Sequence, residues 1–260
     1  MCETRFFVIC SDTFASILAE DGHHNPTGFE DAMRSMFHGI SIPGKSILDV
    51  GSGRGLTSLW LATTGARRVV SMEPEMDGSR SGAVDIQQER ICRLGLDQIE
   101  IVTTDFQQYE PSERFDLIVS NASINHLQES EDHANWHRPT FDAFVKIATQ
   151  MKSWLKPAGL AVITDVCRYS VWTQARQLGL PACLSNPRLR TINWRLHQQP
   201  AAWMAIFREA GFVDCRVQYP VPYRLRGIGA LISNPVANFF LNSDFVLHAR
   251  NAPFDSPIAR

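Results

Sequence analysis

Through the middle of the chain, short apolar runs alternate with stretches in which apolar side chains return every three or four positions. "KSILDV" (45–50), "RRVVSME" (67–73), "IEIVTTD" (99–105), "FDLIVSNA" (115–122) and "GLAVITDV" (159–166) read as strands. "LTSLWLATTG" (56–65) and "SGAVDIQQERICRLGL" (81–96) read as helices, the second stopped by Gly95. A third helix is predicted from about Pro139 to Leu155, where Phe141, Phe144, Val145, Ala148, Met151 and Leu155 form one apolar face. Strands apolar on both faces and separated by helices predict a parallel sheet covered on both sides, a doubly wound α/β fold.

Outside that core the rhythm changes. Residues 1–40 read as a helical cap over the mouth of the sheet, ahead of a single domain spanning 41–260. Residues 167–199 mix aromatic, apolar and arginine residues without a clean period and read as an inserted lid. A helix from Pro200 to Gly211 and strands near 212–219 and 244–250 bring the sheet to seven strands. The apolar stretch "GIGALISNPVANFFLNSDFVL" (227–247) suits the core, a pocket cover or a homodimer contact, and the sequence leaves these three open.

Composition narrows the class. The 260 residues are 44% hydrophobic and 20% charged, enough to bury a large core. A net charge of −2 gives no electrostatic footprint for a phosphate backbone, so a small-molecule substrate is expected and nucleic acid is not. The six cysteines include no C-x-x-C pair, which suits a reducing compartment. The first apolar run is too short for a secretory leader and nothing approaches the ~20 apolar residues of a membrane span. A cytoplasmic protein is expected.

The chemistry starts at "SILDVGSGRG" (46–55), where Gly51, Gly53 and Gly55 follow a strand and open a helix. Leu56 stands where a dinucleotide fingerprint has its third glycine, and no Gly-Lys-Ser/Thr follows, so neither the NAD pattern nor a P-loop is met. Asp49 would repel a pyrophosphate but suits the amino-acid end of a cationic ligand. Glu73 closes the second strand where a carboxylate can hold ribose hydroxyls. Asp105 and Phe106 close the third, an acceptor for an amino group beside a ring that can cover a base.

"ILDVGSGRG", "VVSMEP", "TTDF", "FDLIVSNASINHL" and "LKPAGLAVITD" together resemble the successive motifs of class I S-adenosylmethionine-dependent methyltransferases, in their small-molecule branch. The resemblance covers roughly residues 40–170 and implies a Rossmann-like seven-stranded sheet. It implies that the loop at Gly51, Ser52, Gly53 and Gly55 holds the methionine moiety of S-adenosyl-L-methionine, that Glu73 with Pro74 meets the ribose, and that Asp105 and Phe106 meet the adenine. Asn121 is expected to touch the cofactor. Ala158 departs from the usual "LKPGG".

His126, just past the fourth strand, is the candidate general base for a hydroxyl acceptor, with pocket shaping as its alternative role. His126, His133 and His137 have a metal-like spacing, but their connecting segment is turn-like and only Asp165 offers a placed carboxylate, so no metal is expected. O-methylation of a small organic molecule is the favoured activity. A catalytically silent cofactor-binding module and a nicotinamide-dependent oxidoreductase are the rivals.

Overall fold

The computed structural model describes residues 12–74, 82–171, 193–221, 223–241 and 243–253. Among the described residues seven strands form a mixed sheet. The chain divides into two compact units, Met1–Tyr109 and Glu110–Arg260.

In the first unit, α1 (Asp12–Glu20) and α2 (Pro26–Met36) precede β1 (Ser46–Val50), α3 (Leu56–Thr63), β2 (Arg68–Met72), α4 (Ala83–Leu94) and β3 (Ile99–Val102). The three strands are parallel, with Asp49 opposite Ser71 and Val70 opposite Glu100. All five residues of β1 are buried, as a strand covered on both faces requires. Gly95 ends α4 in the left-handed conformation at φ 63°, its N–H turned back to Cys92 and Ile91 carbonyls. β3 stops at Val102, short of the expected Asp105, because Thr103 and Thr104 are exposed and leave the ladder. α1 packs on α4 and α2. Its C-terminal end is pinned by charge: Arg93 meets Glu20 at 3.0 Å, and Arg90, 2% exposed, forks onto both carboxylate oxygens of Asp21 at 2.8 Å.

The second unit holds β4 (Phe115–Asn121), a 3-10 turn (Ile124–Leu127), α5 (Arg138–Trp154), β5 (Leu155–Val166), α6 (Pro200–Glu209), β6 (Asp214–Gln218), α7 (Gly229–Ile232), α8 (Pro235–Leu241) and β7 (Asp244–Arg250). β4 and β5 are parallel, but β7 lies between β5 and β6 and runs antiparallel to both. The parallel reading of the central strands holds for β4 and β5, and the direction of the last two strands, which the sequence pattern left open, is antiparallel. A parallel return needs a crossover with enough helix to cover a face, and α7 and α8, of 4 and 7 residues, are short. The core between α5 and α6 is aromatic, with Phe144 edge-on to Trp203 at 4.8 Å and Phe207 against Phe212 at 5.0 Å.

Two details refine the sequence reading. Within 227–247 the β7 residues Phe245, Val246 and Leu247 are buried core, whereas Leu231, Val236 and Phe240 are 76%, 68% and 55% exposed. Ala158, standing where glycine is usual, has φ 58°, the left-handed region in which a Cβ is strained. Ala158→Gly is expected to raise stability by up to about 1 kcal/mol, the relieved strain less the entropy glycine gives the unfolded chain. A urea midpoint that stays put or falls would show that the turn carries no such strain.

Candidate active site

In the first unit, the glycine loop is tied down by its own amides. The N–H groups of Gly51 and Ser52 donate to the Met72 carbonyl at 2.8 and 3.0 Å, and that of Gly55 to Ser52 at 2.9 Å. The Gly53 N–H donates to Glu73 Oε2 at 2.7 Å. Donors already engaged by a carbonyl and a carboxylate are poorly suited to cradle a pyrophosphate. Left-handed φ angles of 68°, 55° and 81° at Gly51, Gly53 and Gly55 account for the glycines. They differ in surroundings: among the described residues a Cβ at Gly53 would meet nothing within 4 Å, whereas one at Gly55 would come to 2.6 Å from Gln87 Cγ. Gly53 thus borders open space and Gly55 a packed helix.

Behind the loop runs a buried polar chain that the sequence did not announce. Gln87 Nε2 donates to Ser71 Oγ, Ser71 Oγ lies 2.9 Å from Ser58 Oγ, and the Ser58 hydroxyl donates to Asp49 Oδ2 at 2.7 Å. Asp49 is fully buried, and its Oδ1 has no hydrogen-bond partner among the described residues. Burial, opposed by the Ser58 hydrogen bond and reinforced by the charge of Glu73, pushes its carboxyl up to about 7. Ser52 Oγ is likewise buried without a partner among the described residues. An orphaned carboxylate oxygen and an orphaned hydroxyl beside an open glycine fit a ligand that brings a cationic donor, as the amino-acid end of S-adenosylmethionine does.

The remaining expected cofactor residues are placed as follows. Glu73 and Pro74 are half-buried at the end of β2. Asp105 is half-buried beyond β3 and its carbonyl accepts from the Gln108 and Tyr109 amides, while the Phe106 ring turns into the core at 2% exposure. Asp21, unremarked in the sequence, also bonds Arg54 of the glycine loop at 3.0 Å.

In the second unit, Asn121 ends β4 and accepts from the Thr164 hydroxyl across the ladder. Ala122 follows with φ 57°, a strained turn that leads into the 3-10 segment bearing Asn125 and His126. His126 is exposed, its side chain keeping 61% of its surface, and its Nδ1 lies 3.5 Å from Glu129. His133 is buried and stacks on Tyr169, and His137 caps α5, accepting from the Thr140 amide. Among the described residues, no group of three His, Cys, Asp or Glu is arranged to hold a metal.

The residue missed by sequence reasoning is His197. Its Nδ1 lies 2.8 Å from Asp165 Oδ1 and 2.9 Å from Asn125 Nδ2, and Asn125 Nδ2 also donates to Asp165 Oδ2. Asp165, the placed carboxylate of the sequence, is buried and holds this cluster together. The one available signal was a carboxylate inside "AVITDV", which burial would oblige to find a partner. Of the expected lid, Arg168, Trp194 and Arg195 fall among the described residues. Trp172, Arg176, Arg188 and Arg190 fall outside them.

Known proteins match this picture. The methyltransferase-domain family profile matches residues 15–216. Protein arginine N-methyltransferase 6 of Danio rerio is 32% identical over 122 residues, 46% of this chain and 30% of that protein. Phosphoethanolamine N-methyltransferase 1 of Arabidopsis thaliana is 25% identical over 173 residues, 66% of this chain and 29% of that protein. The chain therefore spans under a third of the length of either relative. A SAM-dependent methyltransferase structure from Aquifex aeolicus shares the fold, with TM-score 0.55 and 16% identity over 91% of this chain and 97% of that one. The chain belongs to the methyltransferase-domain family, and S-adenosylmethionine is the cofactor that this membership brings with it.

Proposed function

We propose that the chain is a methyltransferase for a small organic acceptor, with transfer to oxygen favoured, and that Asp49, Gly51, Ser52, Gly53, Gly55, Glu73, Pro74, Asp105, Phe106 and Asn121 form its cofactor-binding set. The observation that carries the reading is the buried Asp49 carboxylate directly ahead of the glycine loop, whose Oδ1 lacks a partner among the described residues. When bound, S-adenosylmethionine supplies a methyl group on a positively charged sulfur. The protein's part is to fix geometry and exclude water, which suits an in-line displacement with a good leaving group already in place.

Within this set, Asp49 Oδ1 and Ser52 Oγ accept from the cofactor's ammonium. Glu73, already oriented by the Gly53 amide, offers its carboxylate to the ribose hydroxyls. The acceptor class rests on charge: a net −2 gives no grip on tRNA or rRNA. The relatives named above are N-methyltransferases of protein arginine and of phosphoethanolamine. Among the described residues no helix is long and apolar enough to cross a membrane. Free thiols at Cys92, Cys167 and Cys215 support a cytoplasmic location.

Calorimetric titration with S-adenosylhomocysteine, beside NADH, tests the cofactor. Micromolar binding of the first alone is expected. Glu73→Gln should weaken it roughly tenfold, the loss of charge-assisted hydrogen bonds. Unchanged affinity would remove Glu73 from the set. Binding without turnover on any alcohol, phenol, acid or amine would favour the silent module.

A further inference from the structure

The carboxyl ends of β4 and β5 carry a second constellation, entirely within the second unit. Parallel strands of doubly wound sheets present their ligands at this end. Asp165 is the next-to-last residue of β5, and Asn125 follows β4 by one short turn. His197 arrives from the segment returning from the lid region, 32 positions beyond Asp165.

The hydrogen bonds decide which nitrogen of His197 carries the proton. A ring nitrogen 2.8 Å from a carboxylate oxygen must have a proton between them, since two bare acceptors would repel at that distance. Asn125 is oriented by the same carboxylate, because turning its oxygen toward Asp165 Oδ2 would set two acceptors face to face. In neutral His197 the proton therefore sits on Nδ1, and Nε2 holds the lone pair. Nδ1–H donates to Asp165 Oδ1; the Asn125 amide nitrogen, itself a donor, lies 2.9 Å from Nδ1 without a hydrogen bond to it and acts on the ring only by holding Asp165 Oδ2, and the His197 side chain keeps 12% of its surface.

The supports of the ring are themselves held. Gln198 accepts from the Ala134 amide at 2.8 Å and donates to the Asp132 carbonyl at 3.0 Å. Arg168 donates to the carbonyls of Arg195, His197 and Glu131. Asp165 Oδ1 accepts a further bond from the Val166 amide at 2.8 Å. The charged groups facing His197 are Asp165 at Nδ1 and Arg168 at its carbonyl. Asn125 is 1% exposed and its Oδ1 is buried without a partner, an acceptor left for something not supplied by the described residues.

We propose that His197 is the general base that takes the proton from a hydroxyl acceptor, with Asp165 and Asn125 as its positioning residues; this rests on the methyltransferase reading above. As the acceptor oxygen bonds to the methyl carbon, the carbon–sulfur bond breaks and leaves its electron pair on sulfur. The hydroxyl proton passes to Nε2. Asp165 stabilises the resulting imidazolium, which then gives the proton to water. His126 is the rival base: it is exposed, and its Glu129 partner is 3.5 Å away, where His197 has a buried carboxylate at 2.8 Å.

Three measurements test this together. Long-range nitrogen–proton NMR of labelled protein, assigned with His197→Gln, should find the Nδ1–H form in the wild type and a mixed or reversed tautomer in Asp165→Asn. An Nε2–H wild type, or no change in Asp165→Asn, would overturn the assignment. With S-adenosylmethionine and a series of substituted phenols, His197→Gln and His197→Ala should lower kcat on the order of 100-fold or more, with KM and S-adenosylhomocysteine affinity within about threefold. The acid limb of the wild-type pH profile should vanish in both, and His126→Ala should keep both rate and limb. Full activity in His197→Gln with an intact acid limb would sink the proposal while leaving the cofactor reading in place. Failure of the wild type to bind S-adenosylhomocysteine would instead sink the reading beneath it.

Discussion

Asp21→Ala is expected to cost the fold about 3 kcal/mol, because it strands a buried guanidinium. Arg90 is 2% exposed and Asp21 9%, and the two meet in a fork of 2.8 Å bonds. Removing one partner of such a pair exposes the other to its full desolvation cost, unlike the loss of an exposed pair such as Arg195 with Glu131. Roughly 6–12 °C in melting temperature should be lost. Burial raises the Asp21 carboxyl, but hydrogen bonds from Arg90 and Arg54 outweigh it and hold it below its ordinary value. A depressed carboxyl stabilises above its unfolded value and loses that contribution as pH falls through the folded one. The wild type should therefore lose its advantage over Asp21→Ala on acidification below about pH 4. Equal melting temperatures at pH 7 would show that the fork contributes nothing.

Cofactor affinity should rise with pH up to about 7 and then level, through Asp49. Its carboxyl is pushed up to about 7 first by burial, and a cationic ligand binds only the ionised form well. Below that value the free protein must give up a proton to bind, so affinity falls about tenfold per pH unit. At pH 6, titration in two buffers of different ionisation enthalpy should register close to one proton released. Asp49→Asn should flatten the dependence and weaken binding at pH 8. A wild-type affinity that ignores pH between 5.5 and 7 would mean that Asp49 does not face the ligand's positive charge.

How much of this was legible follows from how far apart the cooperating residues stand. β1, β2 and β4 could be read because runs such as "SILDV" and "FDLIVSN" are apolar on both faces, and burial on both faces leaves little other choice. Gly51, Gly53 and Gly55 were legible for the same local reason, a backbone that needs positive φ. The orientation of β7 was not, since a strand's own pattern does not say which way its neighbour runs. The Asp49–Ser58–Ser71–Gln87 chain and the Asn125–Asp165–His197 cluster were hidden because their members lie on different elements, up to 72 positions apart. Each residue alone is an ordinary polar side chain. Asp165 came nearest to betraying its cluster, as a carboxylate set in a buried strand.

The place of β7 bears on how the protein is made. β5 gains its outer neighbour, and β6 the one it has among the described residues, from a strand that begins at Asp244. A ribosome reaches that strand about 80 residues after finishing β5, a wait of roughly 4–16 s at ordinary elongation rates. Throughout that interval the apolar edge of β5, "LAVITDV", is open to strand pairing with another nascent chain. Crowded synthesis, more than any weakness of the finished fold, is where this sequence is exposed to aggregation.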